Sequence, residues 1–189
     1  MDKGQTQLFE SGVEYLQRVQ SLLPDPQMVD VMANIRDRSK IYTWIGSHIA
    51  AINLLLQSYI KACHECFEIG ERRSIDIFAL PFAASVGLDG FCNLSTTPVT
   101  IFVDIGRVAP ADWRSLVAHE YAHAHLGYAG HDRTYAQTLH HLCLGLALPQ
   151  PSATATPESL RYWPPYAPIV DRLAVWRGES KLFGDIVLF

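Results

Sequence analysis

Five consecutive residues, His119-Glu120-Tyr121-Ala122-His123, have the form H-E-x-x-H. On a helix, side chains four apart stack on one face, so His119 and His123 can offer two imidazole nitrogens to one Zn²⁺. Glu120 lies about 100° further round the same turn. It can reach a water on the metal without being a ligand. Two ligands, an acid/base beside them and an open coordination position are what metal-assisted hydrolysis requires. The competing reading is a buried helix whose histidines are satisfied by hydrogen bonds in the core.

The elements around the motif must hold it. Asp112 to Leu126 reads as a helix, with Trp113, Leu116, Val117, Tyr121 and Leu126 as apolar neighbours. Asp112 is its N-cap or first-turn acid and Gly127 its stop. A short glycine-rich loop, Tyr128-Ala129-Gly130-His131-Asp132, leads to a second helix capped by Asp132. The apolar face of that helix is Tyr135, Leu139, Leu142, Cys143 and Leu146, and Pro149 closes it.

A catalytic zinc usually keeps three protein ligands. Six of the eight histidines fall between 119 and 141, so candidates are close by: His125, His131, Asp132, His140 and His141. His125 is two residues past His123 and points about 200° away on the helix. His140 falls on the polar face of the second helix. His141 flanks the apolar face, where it could support a ligand or donate to an oxyanion. Asp132 can cap its helix or orient a ligating imidazole. His131 follows a turn that folds back towards the first helix, and we take it as the third ligand.

Composition bounds the rest. The chain has 189 residues, 49% hydrophobic and 18% charged, which fits one globular domain. Its net charge of -4 and pI near 6.0 argue against a broad nucleic-acid surface. The first residues, Met1-Asp2-Lys3-Gly4-Gln5, show no secretory pattern. The longest apolar segment, Ile45 to Leu56, is broken by Ser47, His48 and Asn53 and is too short to span a bilayer. A cytoplasmic chain with no membrane segment is the expectation, and its four cysteines are expected to be free thiols. Cys63-His64-Glu65-Cys66 has no second C-x-x-C to complete a structural zinc site and sits at a helix end, so it reads as ordinary helix.

Residues 5–22 have helical periodicity ended by Pro24 and Pro26. A short helix over Val29–Arg38 follows. A long one over Ile41–Phe67, nearly free of charge, is expected to be largely buried against a sheet. Ser74–Leu80 reads as a strand. Ala83–Leu88 and Gly90–Leu94 read as a hairpin about Asp89-Gly90. Thr96-Thr97-Pro98 is a turn, and Val99–Asp104 the clearest strand. Residues 149–168 hold six of the eleven prolines and form an irregular covering segment. Within it, Tyr162-Trp163-Pro164-Pro165-Tyr166 could be a lid or an internal plug, and Tyr162 and Tyr166 are possible oxyanion donors. Ile169–Arg177 reads as a last helix, and Ile186–Phe189 as an apolar terminus. The 1–189 domain thus divides into a helical part (1–70), a catalytic core (71–148) and a covering segment (149–189).

The strand Val99–Asp104, the run Leu116-Val117-Ala118-His119-Glu120-Tyr121-Ala122-His123-Ala124, and Gly130-His131-Asp132 followed by Tyr135 together resemble the minimal zincin peptidases. The SprT-like and WLM-like group is the nearest in pattern. The resemblance covers about residues 75–147. It implies an α+β zincin-like fold: N-terminal helices, a small mixed sheet with an edge strand (here Val99–Asp104) to line up a peptide, an active-site helix and a following helix. It implies one Zn²⁺ held by His119, His123 and His131, with Glu120 as general base. A zinc ribbon or basic DNA-binding segment is not visible. The metzincin pattern fails at Leu126 and Ala129, and no acidic residue lies between Asp132 and Leu148 to act as a gluzincin ligand. The expected function is a zinc-dependent metallopeptidase acting on an intracellular protein or peptide. One alternative is a non-catalytic or latent zinc protein that binds a partner. Another is a regulatory protease like the ImmA/IrrE group, whose second-helix acidic ligand has no counterpart here.

Overall fold

The computed structural model describes residues 3–29, 31, 36–167 and 169–180. Two long helices come first, α1 (Lys3–Gln20) and α2 (Arg38–Glu65). α2 buries one seam, Ile41, Ile45, Ile49, Ile52, Leu56, Ile60 and Cys63, at the three-to-four spacing a helix needs. That seam packs on α1, on the first strand and on the motif helix. The opposite face is open, with Leu54 73% exposed, so α2 is amphipathic rather than largely buried. α1 and α2 touch through glycine. Gly12 lies against the backbone of Tyr42, and Gly46 against that of Leu8.

The sheet has three strands, β1 (Ile75–Ala79), β2 (Gly90–Asn93) and β3 (Val99–Val103), in the order β1-β3-β2. β1 runs parallel to β3, from Ile75 opposite Val99 to Ala79 opposite Val103. β2 runs antiparallel to β3, from Gly90 opposite Val103 to Asn93 opposite Thr100. Val99–Val103 is therefore the central strand and not the edge expected of it. Its burial explains the place: Thr100 to Val103 are all buried, as a strand covered on both faces must be. The turn between β2 and β3 is at 94–98, and no hairpin forms about Asp89-Gly90. Residues 83–88 have no ladder because their surroundings satisfy them otherwise. The Ala83 N–H donates to the Met28 carbonyl at 2.7 Å, and Arg107 Nη2 donates to the Ala83 carbonyl at 3.1 Å.

Asp104, at the end of β3, ties three parts of the chain together. Its carboxylate accepts from the Phe82 N–H (3.0 Å), the Gly106 N–H (3.0 Å), Arg107 Nε (3.2 Å) and Trp176 Nε1 (2.9 Å). Burial pushes Asp104 up to about 6, against the pull of those four donors.

After β3 come the motif helix α3 (Trp113–Leu126), then α4 (Arg133–Gly145) and a short α5 (Pro157–Arg161). The α4 face expected to be apolar, Tyr135, Leu139, Leu142, Cys143 and Leu146, is buried throughout. Residues 172–178 form turns instead of the predicted last helix. Side chains compete with helical order there. Trp176 is drawn to Asp104, and Arg177 pairs with Asp171 and Glu179 at 2.6 Å each. Half of the Val29–Arg38 segment and all of Ile186–Phe189 lie outside the described residues. All four cysteines are free. Among the described residues, no helix is long and apolar enough to cross a membrane.

Candidate metal centre

Most surface helices bury one stripe. α3 is buried all round from Ser115 to Ala124, walled by α2, α4, β2 and β3. His119, Glu120 and His123 are each only 6% exposed. Asp112 precedes α3 in a turn of 3-10 helix and makes no side-chain cap. Gly127 ends the helix in the left-handed region, at φ 79°, where its N–H donates to the His123 carbonyl at 2.8 Å.

The loop after Gly127 is built by its own hydrogen bonds. Asp132 Oδ1 caps α4 by accepting from the Thr134 and Tyr135 N–H groups at 2.9 and 3.0 Å. The same oxygen accepts the Tyr128 hydroxyl at 2.5 Å. Tyr128 in turn offers its carbonyl to His123 Nδ1 at 3.1 Å. This knot returns the chain over α3 and delivers His131. Its Nε2 lies 3.2 Å from that of His123 and 3.3 Å from that of His119. Ligand atoms of all three residues fall within 4.8 Å of one another, close enough to hold a metal ion.

Three observations test whether a metal fits. A tetrahedral Zn²⁺ with bonds near 2.0–2.1 Å sets its nitrogens about 3.3 Å apart, and the two closest pairs match. The proton on His123 Nδ1 is committed to the Tyr128 carbonyl, so its Nε2 is a bare lone pair. One N–H on His131 Nε2 could not serve both neighbours, so a cation satisfies the cluster where a proton does not. All three rings are also held in the neutral, coordinating form. Burial, then the neighbouring His123 and His131, lowers His119 to about 3, although the Trp163 backbone favours its proton. Burial, then His131, lowers His123 to about 4, opposed by the Tyr128 carbonyl. Burial and the nearby Arg161 charge lower His131.

Tyr135 is the residue that sequence reasoning left in the core. Its ring touches all three imidazoles, with centroids 5.4, 4.5 and 4.7 Å from those of His119, His123 and His131. Its hydroxyl donates to the His119 carbonyl at 3.2 Å. The aromatic four residues after His131 was the available signal. Gly90 is the second such residue. A Cβ there would sit 2.7 Å from Glu120 Oε1 and 3.0 Å from its Cγ, so β2 passes directly over the carboxylate. Nothing in the sequence marks this, because Asp89-Gly90 reads as a turn. Burial, and the charge of Asp89, push Glu120 up to about 8.

A cleft of about 790 Å³ opens on the cluster. β2 and the residues before it line it, together with the 161–166 segment. Tyr162 and Tyr166 both face it. Tyr166 donates its hydroxyl to Asp89, which also lies 3.8 Å from Arg107 Nη1. The remaining candidates lie elsewhere. His125 stacks on Phe67 at 3.9 Å, and His141 Nε2 pairs with the Cys66 carbonyl at 2.6 Å. His140 is exposed. Asp132 caps α4 and touches no ligating ring. Among the described residues, His119, His123 and His131 are the only three that can share an ion. Compared with protein-family models, curated proteins and solved structures, the chain matches none.

Proposed function

We propose that this chain is a zinc-dependent metallopeptidase of the minimal zincin kind, cleaving an extended peptide segment. The observation that carries the reading is the convergence of three neutral imidazoles beside a buried carboxylate on the floor of a cleft. A purely structural site has no use for Glu120 at that place, and a closed site would have no cleft.

A zinc ion in this site would polarise a peptide carbonyl and acidify a water. His119 and His123 would hold the ion from a rigid helix, and His131 from the loop. Glu120 takes the proton of the attacking water and hands it to the leaving amine. The raised pKa of Glu120 suits the second task, and a nearby cation favours the carboxylate needed for the first. β2 has a single ladder partner among the described residues, so its outer edge offers backbone groups to an extended chain. Tyr166 is engaged with Asp89, which leaves the exposed Tyr162 as the freer hydroxyl for an oxyanion.

The test is Glu120→Gln, assayed for bound zinc and for hydrolysis of a peptide library. Zinc should stay near one per chain while hydrolysis falls at least ~100-fold. Undiminished hydrolysis would remove Glu120 from the mechanism, and wild-type protein that takes up no zinc would remove the reading altogether.

A further inference from the structure

The walls of the cleft carry unequal charge. On the Glu120 side, Asp89 is already served by Tyr166 and Arg107. On the His131 side stands Arg161, the only lysine or arginine among the lining residues. Arg161 and His131 line the same cleft, and the charge of Arg161 lowers His131. No carboxylate comes within ion-pair distance of it among the described residues. Even Glu158, three positions earlier on α5, leaves it unpaired.

Arg161 is nevertheless well placed. It ends α5, which is fastened by the reciprocal Thr156–Ser159 cap and by Leu160, 1% exposed. Trp163, two residues on, is buried as well. A lone guanidinium, mounted on an anchored turn and facing a metal centre, is built to meet an anion. Its planar fork matches a carboxylate with two parallel hydrogen bonds.

We propose that Arg161 is a specificity residue that selects substrates bearing a carboxylate on the His131 side of the metal centre. The inference deepens the peptidase reading and rests on it. The carboxylate is either the free C-terminus of a short peptide or an acidic side chain close to the scissile bond. Glu120 and Arg161 then divide the labour. Glu120 handles the proton at the reacting amide, while Arg161 fixes which residue is presented.

The test separates this from turnover by reading binding. The zinc-loaded Glu120→Gln protein would be titrated with three fluorescently labelled tripeptides: Ala-Ala-Phe as the free acid, the same peptide as its amide, and Ala-Glu-Ala amide. At least one carboxylate peptide should bind about 10-fold more tightly than the neutral amide, the scale of a bidentate charge-assisted pair. Adding Arg161→Gln should erase the preference, and adding Arg161→Lys should keep part of it. Preference for the free acid identifies the C-terminus, and preference for Ala-Glu-Ala amide identifies a side chain. Equal binding of all three, binding of none, or a preference that survives Arg161→Gln overturns the proposal. Hydrolysis by protein with Glu120 intact is scored separately. A carboxylate preference without hydrolysis keeps Arg161 and discards the peptidase.

Discussion

Gly46→Ala should destabilise the protein even though alanine is the better helix former. Alanine gains about 0.5–1 kcal/mol over glycine inside a helix. Here the added Cβ would fall 1.9 Å from the Leu8 carbonyl oxygen and 2.8 Å from its carbon. These are backbone atoms of α1 and cannot rotate aside. Restoring an ordinary contact requires the helices to part by roughly 1.5 Å, and a gap of 0.5–1 Å already forfeits about a quarter to a half of a van der Waals well. The loss spreads along the seam, where Phe9 meets Tyr42 edge-on and Leu16 and Val19 meet the buried face of α2. Overpacking of this kind costs about 1–3 kcal/mol and here lies at the upper end, so the net loss should be about 2 kcal/mol. With a urea dependence near 2 kcal/mol/M, the midpoint should drop by about 1 M. Gly70→Ala is the control, since a Cβ there meets nothing within 4 Å. A Gly46→Ala midpoint equal to or above that of the parent would show that propensity wins and that the close approach is not binding.

Two further outcomes concern the site. Gly90→Ala should press on the Glu120 carboxylate and lower hydrolysis by about 10–100-fold, the usual cost of a misplaced catalytic group; zinc content should not change, and full activity would mean that the strand gives way freely. Stripping metal with a chelator should lower the melting temperature, and returned zinc should restore it; in His131→Ala the zinc-dependent rise should shrink as affinity falls at least ~100-fold, and an undiminished rise would deny His131 its place.

What the sequence disclosed followed from periodicity and chain order. α1, α2, α3 and α4 were legible because their apolar residues recur at helical spacing and are stopped by proline or glycine. His131 was legible because a two-glycine loop between adjacent helices has few ways to run. Strand order was not legible, because pairing is decided by burial across the sheet. Val99–Val103 is central because β1 and β2 both pair with it while α3 packs on it, a fact held in those elements rather than in its own residues. Asp89-Gly90 misled because glycine there provides room over Glu120 instead of a turn. The predicted helix at Ile169–Arg177 failed because Asp104, about seventy residues earlier in the chain, takes the Trp176 indole. Arg161 carries no local signal at all; its meaning comes from the cleft it faces.

The three imidazoles are not mounted alike. Two are rooted in a helix with no solvent face, and the third stands half-buried on a loop held by Tyr128 and Asp132. Equilibrium affinity depends on all three, but exchange does not. An ion bound there would leave most readily past the loop ligand, so its residence time would be set by how often the loop opens. The rate of loss to excess chelator thus reports loop motion, whereas the equilibrium constant reports helix and loop together. A metal held in such a site would be bound tightly and still surrendered on a timescale chosen by a handful of loop residues.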